Sequence, residues 1–381
     1  MLPKECVRRN NESISDWVER RLWKAYKAAR KGKRDTLDEF IFEANAPENI
    51  KFLRDDILER TYAPSRGIVF ISHRPVVREI FAAPFRDRVV HHFLYDCVAD
   101  WWDRRLIYDS CSCRKDKGVL MGRKRLRKNM NRAMRRYPGE KIYIVKLDIR
   151  GYFMSLPRTE LFERIVWGLD WQFQNHGGVF PREYYILKFL WRQVIFDDPT
   201  VGVDIRFKQS ERKKLAKTKT LFGQPEGIGI VIGNLSSQLL SNIYLDALDR
   251  FVTMSLGYNF YARYVDDFYF LVPESGLDQA HKDIEAIRVF LEGLGLTLHP
   301  DKQQIQPIDK GVLFLGARIF PNRTLPGPRL INNYRKAVRD FESGNGDIAS
   351  VISYMGHMTH MKGDRIQKRL FEEVGWDWNF Y

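Results

Sequence analysis

Two adjacent acids, Asp266 and Asp267, sit inside the run Y-A-R-Y-V-D-D-F-Y-F-L-V at residues 261–272. Aromatic and β-branched residues on both sides predict a hairpin: strand, tight turn, strand. Asp tolerates turn geometry, which accounts for one of the pair. A turn does not account for two like charges at the tip of an otherwise apolar hairpin, unless a cation sits between them and a third acid. A divalent ion with carboxylate ligands, Mg²⁺ first, answers that need. A solvated turn on an edge hairpin is the alternative this stretch leaves open by itself.

The third acid comes from K-I-Y-I-V-K-L-D-I-R-G-Y-F at 141–153. Tyr143, Val145 and Leu147 alternate with Ile144, Lys146 and Asp148, a strand pattern. A lone Asp at a strand end is ordinarily a cap or turn residue. Beside the Asp266–Asp267 hairpin, Asp148 supplies the missing carboxylate. Three carboxylates from adjacent strands can hold two Mg²⁺ ions roughly 3.5–4 Å apart, with Mn²⁺ as a substitute. One ion would lower the pKa of a primer 3′-hydroxyl and the other would clamp a triphosphate. Phosphoryl transfer asks for little beyond such positioning and charge neutralisation.

The chain around these acids is 381 residues long, 44% hydrophobic and 13% aromatic, enough for a packed core and two or three domain-sized units. Lys and Arg number 63 against 48 acids, a net charge of +15, which points to polyanion partners and to nucleic acid first. The four cysteines, Cys6, Cys97, Cys111 and Cys113, lack zinc-knuckle spacing and read as reduced thiols. The N-terminus has no apolar signal core, and no run approaches the ~20 apolar residues of a membrane span. A cytoplasmic protein of a bacterial host is expected.

Ser13 is positioned to cap a first helix with Ile14, Trp17, Val18 and Leu22 on one face. Its other side is basic, through Arg20, Arg21, Lys24, Lys27, Arg30, Lys31, Lys33 and Arg34; it reads as a solvated face, with docking of RNA or an acidic partner as the alternative. Residues 74–94 predict a strand through Val76, Val77, Ile80 and Phe81, a turn at Pro84, then a helix. Arg74, Arg78, Arg86 and Arg88 are interleaved there, spaced to aim guanidinium groups at phosphates. A basic loop at 114–118 precedes the acid-free stretch 123–136, which reads as a phosphate-facing helix. Residues 168–226 yield no clear pattern beyond a basic cluster with Arg212, Lys213, Lys214, Lys217 and Lys219. G-I-G-I-V-I-G-N-L-S-S-Q at 227–238 then lets backbone approach a ligand closely. Asn234 or Ser236 would cap the helix that follows, whose apolar face is Leu240, Ile243, Tyr244, Ala247 and Phe251. After the acid hairpin come a helix with Ile284, Ile287, Leu291 and Leu294, a short strand at 296–298, and a second hairpin at 311–316. Residues 321–328, with three prolines, read as a linker. Two helical patterns lie beyond it, one with Tyr334, Val338 and Phe341, the other with Ile348, Val351, Ile352 and Met355.

Taken together, these motifs resemble those of reverse transcriptases. Y-V-D-D at 264–267 matches the family's metal-binding hairpin, and L-D-I-R-G-Y-F at 147–153 its first carboxylate motif. R-E-I-F-A-A-P-F-R-D-R-V-V-H-H at 78–92 resembles the fingers motif of bacterial members, and F-L-G at 314–316 the primer grip. The resemblance implies an α+β right-hand polymerase with fingers, an antiparallel palm with helices, and a small helical thumb. The expected divisions are 1–50, a basic N-terminal helical extension; 51–320, fingers and palm; and 321–381, the thumb. It implies Asp148, Asp266 and Asp267 as catalytic metal ligands, joined by Ile149 through its backbone. Arg74, Arg78, Phe153, Ile232, Gln238 and Lys302 would meet the nucleotide, Phe153 as the gate against ribonucleotides and Lys302 as a proton donor to pyrophosphate. Arg86, Arg88, Arg114, Lys117, Arg123, Arg127 and Tyr264 would touch nucleic acid. The activity implied is RNA-directed DNA synthesis from dNTPs, with template RNA and primer or cDNA as partners.

One departure narrows the resemblance. Most reverse transcriptases carry Q-G-x-x-x-S-P before the palm helix, whereas residues 232–238 read I-G-N-L-S-S-Q. This pattern, with T-K-T-L-F at 218–222 and N-I-Y-L-D at 242–246, is similar to reverse transcriptases of diversity-generating retroelements. That branch implies error-prone copying of a template-repeat RNA, with errors at template adenines, for mutagenic retrohoming. It also implies a small basic pentameric accessory variability protein as partner. An apolar Ile232 where relatives have a polar Gln removes a hydrogen bond that polices pairing, and losing one such contact lowers selectivity. The alternatives are a retron-like, group II intron-like or defence-associated bacterial reverse transcriptase, and, outside enzymes, an RNA-binding scaffold.

Overall fold

The computed structural model describes residues 8–31, 36–73, 77–174, 180–213, 215–373 and 375. Cys6, Lys33, Arg34, Arg74, Val76 and Lys214, each given a reading above, lie outside the described residues. Eleven strands are formed among those described: β1 (Ile68–Ser72), β2 (Arg78–Ala82), β3 (Ile142–Arg150), β4 (Asp204–Ile205), β5 (Tyr261–Tyr264), β6 (Asp267–Pro273), β7 (Thr297–Leu298), β8 (Gln304–Pro307), β9 (Val312–Phe314), β10 (Ala317–Ile319) and β11 (Thr324–Pro326). With the helices they give an α+β fold. None of the described helices is long and apolar enough to cross a membrane.

Compactness divides the chain into two interleaved units instead of consecutive segments: 1–107 with 149–248 and 290–297, and 108–148 with 249–289 and 298–381. In the first unit, helix Ile14–Arg30 starts at Ser13, whose Oγ accepts the Asp16 N–H at 3.1 Å. Trp17, Val18 and Leu22 are buried at helical spacing, and Trp17 meets Phe93 of helix Phe85–Asp103 edge-on. Its cations are largely answered within the unit. Arg20 pairs with Glu12, Lys24 with Asp96 and Arg30 with Glu43, while Arg21, expected on the solvated side, is instead buried against helix Phe85–Asp103, where it meets Asp96 and Cys97.

A three-stranded sheet, β2-β1-β4, stands in this unit, with Ile68 opposite Ala82 and Ser72 opposite Arg78. Val69 and Phe81 point into a small core with Met154 and Leu221. Glu79, also inward, is fully buried, and its carboxylate accepts the Thr220 hydroxyl at 2.9 Å and the Leu221 N–H at 2.8 Å. Burial pushes the Glu79 carboxyl up, while those hydrogen bonds pull it back. The unpatterned region 168–226 contains the end of helix Arg158–Phe173 and all of helix Arg182–Phe196. Their aromatic content obscured the period, since Tyr184, Leu187 and Trp191 are buried but Trp171 and Tyr185 are exposed.

The second unit is built on the sheet β5-β6-β3-β7, with β8 also pairing β3. A further antiparallel sheet, β9-β10-β11, is joined to it by one core. Leu126, Met130 and Ala133 of helix Val119–Arg136 enter that core beside Ile142, Ile144, Tyr269 and Leu271. Residues 321–328 are not a linker. Thr324–Pro326 is a third strand on β10, with Pro326 opposite Ala317 at the sheet's edge, where a missing N–H costs little. Beyond it run helices Pro328–Glu342, Ile348–Met358 and a third, Asp364–Glu372, whose polar sequence hid the buried Leu370 and Phe371. Ile348 and Ile352, expected on a core face, are exposed.

Candidate active site

Residues 261–273 form the predicted hairpin, Tyr264 facing Asp267 across the turn. β3 lies along its other side with Asp148 opposite Asp267 and Leu147 opposite Phe268. Opposed residues in an antiparallel pair have Cβ atoms about 4.5–5.5 Å apart, so two of the three acids are brought face to face by strand register alone. Asp266, half-buried, occupies the turn. The left-handed backbone position belongs to neither acid. It is Val265, with φ of 59°, a conformation a β-branched residue adopts only under constraint.

The constraint is visible. The Val265 N–H donates to Ser112 Oγ at 3.0 Å, and the Val265 carbonyl accepts from Arg263 Nη1 at 3.0 Å. Arg263 is fully buried and grips Asp249, also fully buried, through Nε and Nη2, both at 2.7 Å. The Tyr261 hydroxyl donates to the same Asp249 at 2.6 Å. A charged network under the hairpin therefore fixes the turn that presents the acids.

The carboxylates meet the protein's own cations. Lys302 Nζ lies 2.7 Å from Asp148 Oδ1, and Lys146 Nζ lies 3.1 Å from Asp267 Oδ2. Lys146 shares a face of β3 with Asp148, two residues on. Asp267 Oδ1 is buried with no hydrogen-bond partner. Burial pushes the Asp267 carboxyl up to about 6. Lys146 opposes that shift, and the like charges of Asp148 and Asp266 add to it. An orphaned, buried carboxylate oxygen within an all-oxygen donor set fits a hard divalent cation. In this arrangement no three acids converge as a ready cage among the described residues, and two ammonium groups already engage the carboxylates. The donors are suited to Mg²⁺, and the lysines would have to yield to it.

The remaining expected residues divide between the units. In the first, Phe153 and Ile232 pack against the same small core, formed by Val69, Phe81, Met154 and Leu221. Phe153 is reached through Gly151, whose φ of 60° turns β3 into helix Tyr152–Ser155; a Cβ there would stand 2.9 Å from the Thr218 carbonyl oxygen. Gln238 is half-buried on helix Leu235–Arg250. Ile149 follows Asp148 on β3 with its side chain buried. Arg78 is exposed on β2. Arg86 reaches Asp56 at 2.7 Å and Asp87 at 3.1 Å, and Arg88 donates to the Ala83 carbonyl at 2.8 Å, so both hold local structure.

In the second unit Tyr264 is half-buried against the core. Arg127 is exposed. Arg114 donates to the Ser110 carbonyl, and Lys117 lies over the Tyr108 ring. Arg123 does not face solvent as the acid-free helix suggested. It is buried and donates to the Leu315 carbonyl, because it lies on the core side of its helix. Sequence reasoning passed over Lys146, Asp249, Arg263 and Ser112. A charge among the inward, apolar positions of a strand, as at Arg263, was the available signal.

Residues 78–319, more than half of the chain, match the family described as Reverse transcriptase (RNA-dependent DNA polymerase). No curated protein sequence matches the chain. Among solved structures, telomerase from Candida albicans, in complex with a fragment of telomeric RNA, is similar at 14% identity and TM-score 0.48, over 88% of this chain and 59% of that one. Apo telomerase from Candida tropicalis gives 13% identity and TM-score 0.46, over 82% and 58%. The chain thus spans about three fifths of the length of these structures.

Proposed function

Given that the chain belongs to the reverse transcriptase (RNA-dependent DNA polymerase) family, whose members are nucleotidyltransferases, we propose that it extends a primer on an RNA template through Asp148, Asp266 and Asp267. The observation that carries this reading is the in-register pairing of Asp148 with Asp267 beside a turn locked at Val265. Divalent ions, Mg²⁺ or Mn²⁺, would supply charge neutralisation at the transferred phosphoryl group and a more acidic primer hydroxyl. The three aspartates would hold them, with the Ile149 carbonyl as a further ligand. Lys302, released from Asp148, is suited to give a proton to the departing pyrophosphate. Phe153, Ile232, Gln238, Arg78 and Arg74 are proposed on the nucleotide side, and Tyr264 on the primer side.

The finer reading is a reverse transcriptase of a diversity-generating retroelement, copying a template-repeat RNA with errors at adenines and assisted by a small basic pentameric protein. It rests on residues 232–238, and Ile232 packing among apolar side chains supports it. The division into N-terminal extension, fingers and palm, and thumb belongs to the same proposal. Primer extension with Mg²⁺ on a defined RNA, followed by sequencing of the cDNA, tests both levels. Asp266→Ala and Asp267→Ala should abolish extension while RNA binding stays nearly intact, and ordinary activity in either variant refutes the metal assignment. Ile232→Gln should lower errors opposite template adenine, and an unchanged error spectrum removes the pocket argument.

A further inference from the structure

Helix Val119–Arg136 carries eight Lys or Arg and no acid. Arg123 is buried, and Arg125 is paired with Asp109. The other six, Lys124, Arg127, Lys128, Arg132, Arg135 and Arg136, are exposed, and none makes an ion pair among the described residues. Like charges four apart, as at 124, 128, 132 and 136, repel and destabilise a helix. Only Arg135 and Arg136 are favoured by the helix dipole, at its C-terminal end. Arg132 and Arg136 also lie over the Phe260 and Tyr137 rings, which leaves the repulsion at Lys124 and Lys128 the least relieved.

Position sharpens the picture. Leu126, Met130 and Ala133 face the core. At 3.6 residues per turn, Lys124, Lys128 and Arg135 fall in one row on the opposite side. Beside the row runs a groove of about 560 Å³ whose lining includes Tyr108, Lys117, Lys124, Arg125 and Lys128, four cations against the single acid Asp116. Tyr108 is 65% exposed, and its ring has Lys117 Nζ 4.2 Å and the Arg125 guanidinium 5.2 Å from its centroid. Arg125 is held beside the ring by Asp109, and a base stacking on Tyr108 would take the place of the Lys117 ammonium. The helix packs on the face of β3 that bears Ile142 and Ile144, the face that continues to Lys146 and Asp148.

We propose that this groove is a docking track for single-stranded nucleic acid, with phosphates along Lys124, Lys128 and Arg135 and an unstacked base on Tyr108. An exposed aromatic beside a cationic row is the usual means of holding a single strand without sequence preference. A duplex keeps its bases stacked and has no use for the ring. An acidic protein would satisfy the charges but leave the exposed Tyr108 ring without a role. The inference rests on the polymerase reading for its choice of ligand, and it names a contact surface remote in sequence from the acid hairpin.

The test uses the full chain and fluorescein-labelled 20-mers of poly(U) RNA, its poly(dT) counterpart and a blunt RNA duplex, followed by anisotropy across a salt series. Tyr108→Ala should weaken both single strands five- to thirty-fold and leave the duplex within about twofold. Lys124→Gln with Lys128→Gln should reduce the slope of log affinity against log salt by about 1.4, two phosphate contacts at ~0.7 each. Whichever single strand loses more identifies the track as one for template or for product. Unchanged single-strand affinity and slope would overturn the proposal, and so would equal loss on the duplex. Displacement of poly(U) by polyglutamate at matched charge, equally in the wild type and the Tyr108 variant, would overturn it in favour of an acidic protein. All three positions are exposed, and circular dichroism confirms folding. Primer extension by the wild type on a short annealed hybrid probes the polymerase reading separately.

Discussion

Asp249→Asn is the most informative single perturbation of the hairpin. The two side chains of the Asp249–Arg263 pair are fully buried, and Asp249 accepts from Arg263 twice and from Tyr261 once. The amide keeps the shape and removes the charge, leaving a guanidinium without its counter-ion in a dry site. Breaking one partner of such a pair costs about 3–5 kcal/mol. Against a typical total of roughly 5–15 kcal/mol, that is about a fifth or more of the stability. The loss should concentrate where Arg263 acts, at the Val265 carbonyl and at Ser110. Urea unfolding followed by circular dichroism gives the total, and hydrogen exchange at the amides of 261–273 gives the local part. Replacing both partners, Asp249→Leu with Arg263→Met, should recover most of the stability, since two apolar groups leave no orphaned charge. If Asp249→Asn costs under about 1 kcal/mol, or the double variant loses the sum of the singles, the buried network is not what sets the turn.

Other outcomes follow from the same geometry. Lys146→Met removes the ammonium on Asp267, so Mn²⁺ binding to the protein without nucleic acid, read by electron paramagnetic resonance, should tighten roughly fivefold, as expected for a half-exposed pair worth ~1 kcal/mol; Lys146→Arg should restore the wild-type value. The Asp267 carboxyl, raised to about 6 in the fold, keeps its proton where the unfolded chain has lost it. The stability it contributes is therefore full below about pH 4 and lost as pH rises to about 6, with a constant penalty above. The stability difference between wild type and Asp267→Asn should shift across that window and flatten in saturating Mg²⁺; a difference independent of pH would contradict the raised value. Val265→Gly relieves a left-handed β-branched residue, so it should leave stability unchanged or raise it by up to about 1 kcal/mol, where the same change within a strand would cost that much; a loss above 1 kcal/mol would show that Val265 is packed and not strained.

What the sequence disclosed were local patterns. The alternation at 141–148, the paired acids and the Ser13 cap each depend on neighbours along the chain, and each is present. Contacts between distant residues could not be read. Nothing near Glu79 announces that it holds residues 141 and 142 positions away, or near Arg123 that it reaches Leu315. The acid-free helix looked uniformly outward because composition carries no direction; its core side emerges only when Leu126, Met130 and Ala133 are placed against the sheet. The three prolines at 321–328 signalled irregularity, yet an edge strand tolerates Pro326. The turn at 265–266 was legible as a turn, but the strained member is the valine, which no propensity favours.

The interleaving of the two units has a consequence for how the molecule comes into being. The polypeptide passes between them five times, and residues 290–297 belong to the unit that also holds 1–107. At about 5–20 residues per second, the ribosome needs roughly ten to forty seconds after the first hundred residues to deliver the last piece of that unit. Throughout that interval the nascent segment presents unfinished apolar surface, so chaperone engagement during translation, more than final stability, should govern the yield of soluble protein in the cell.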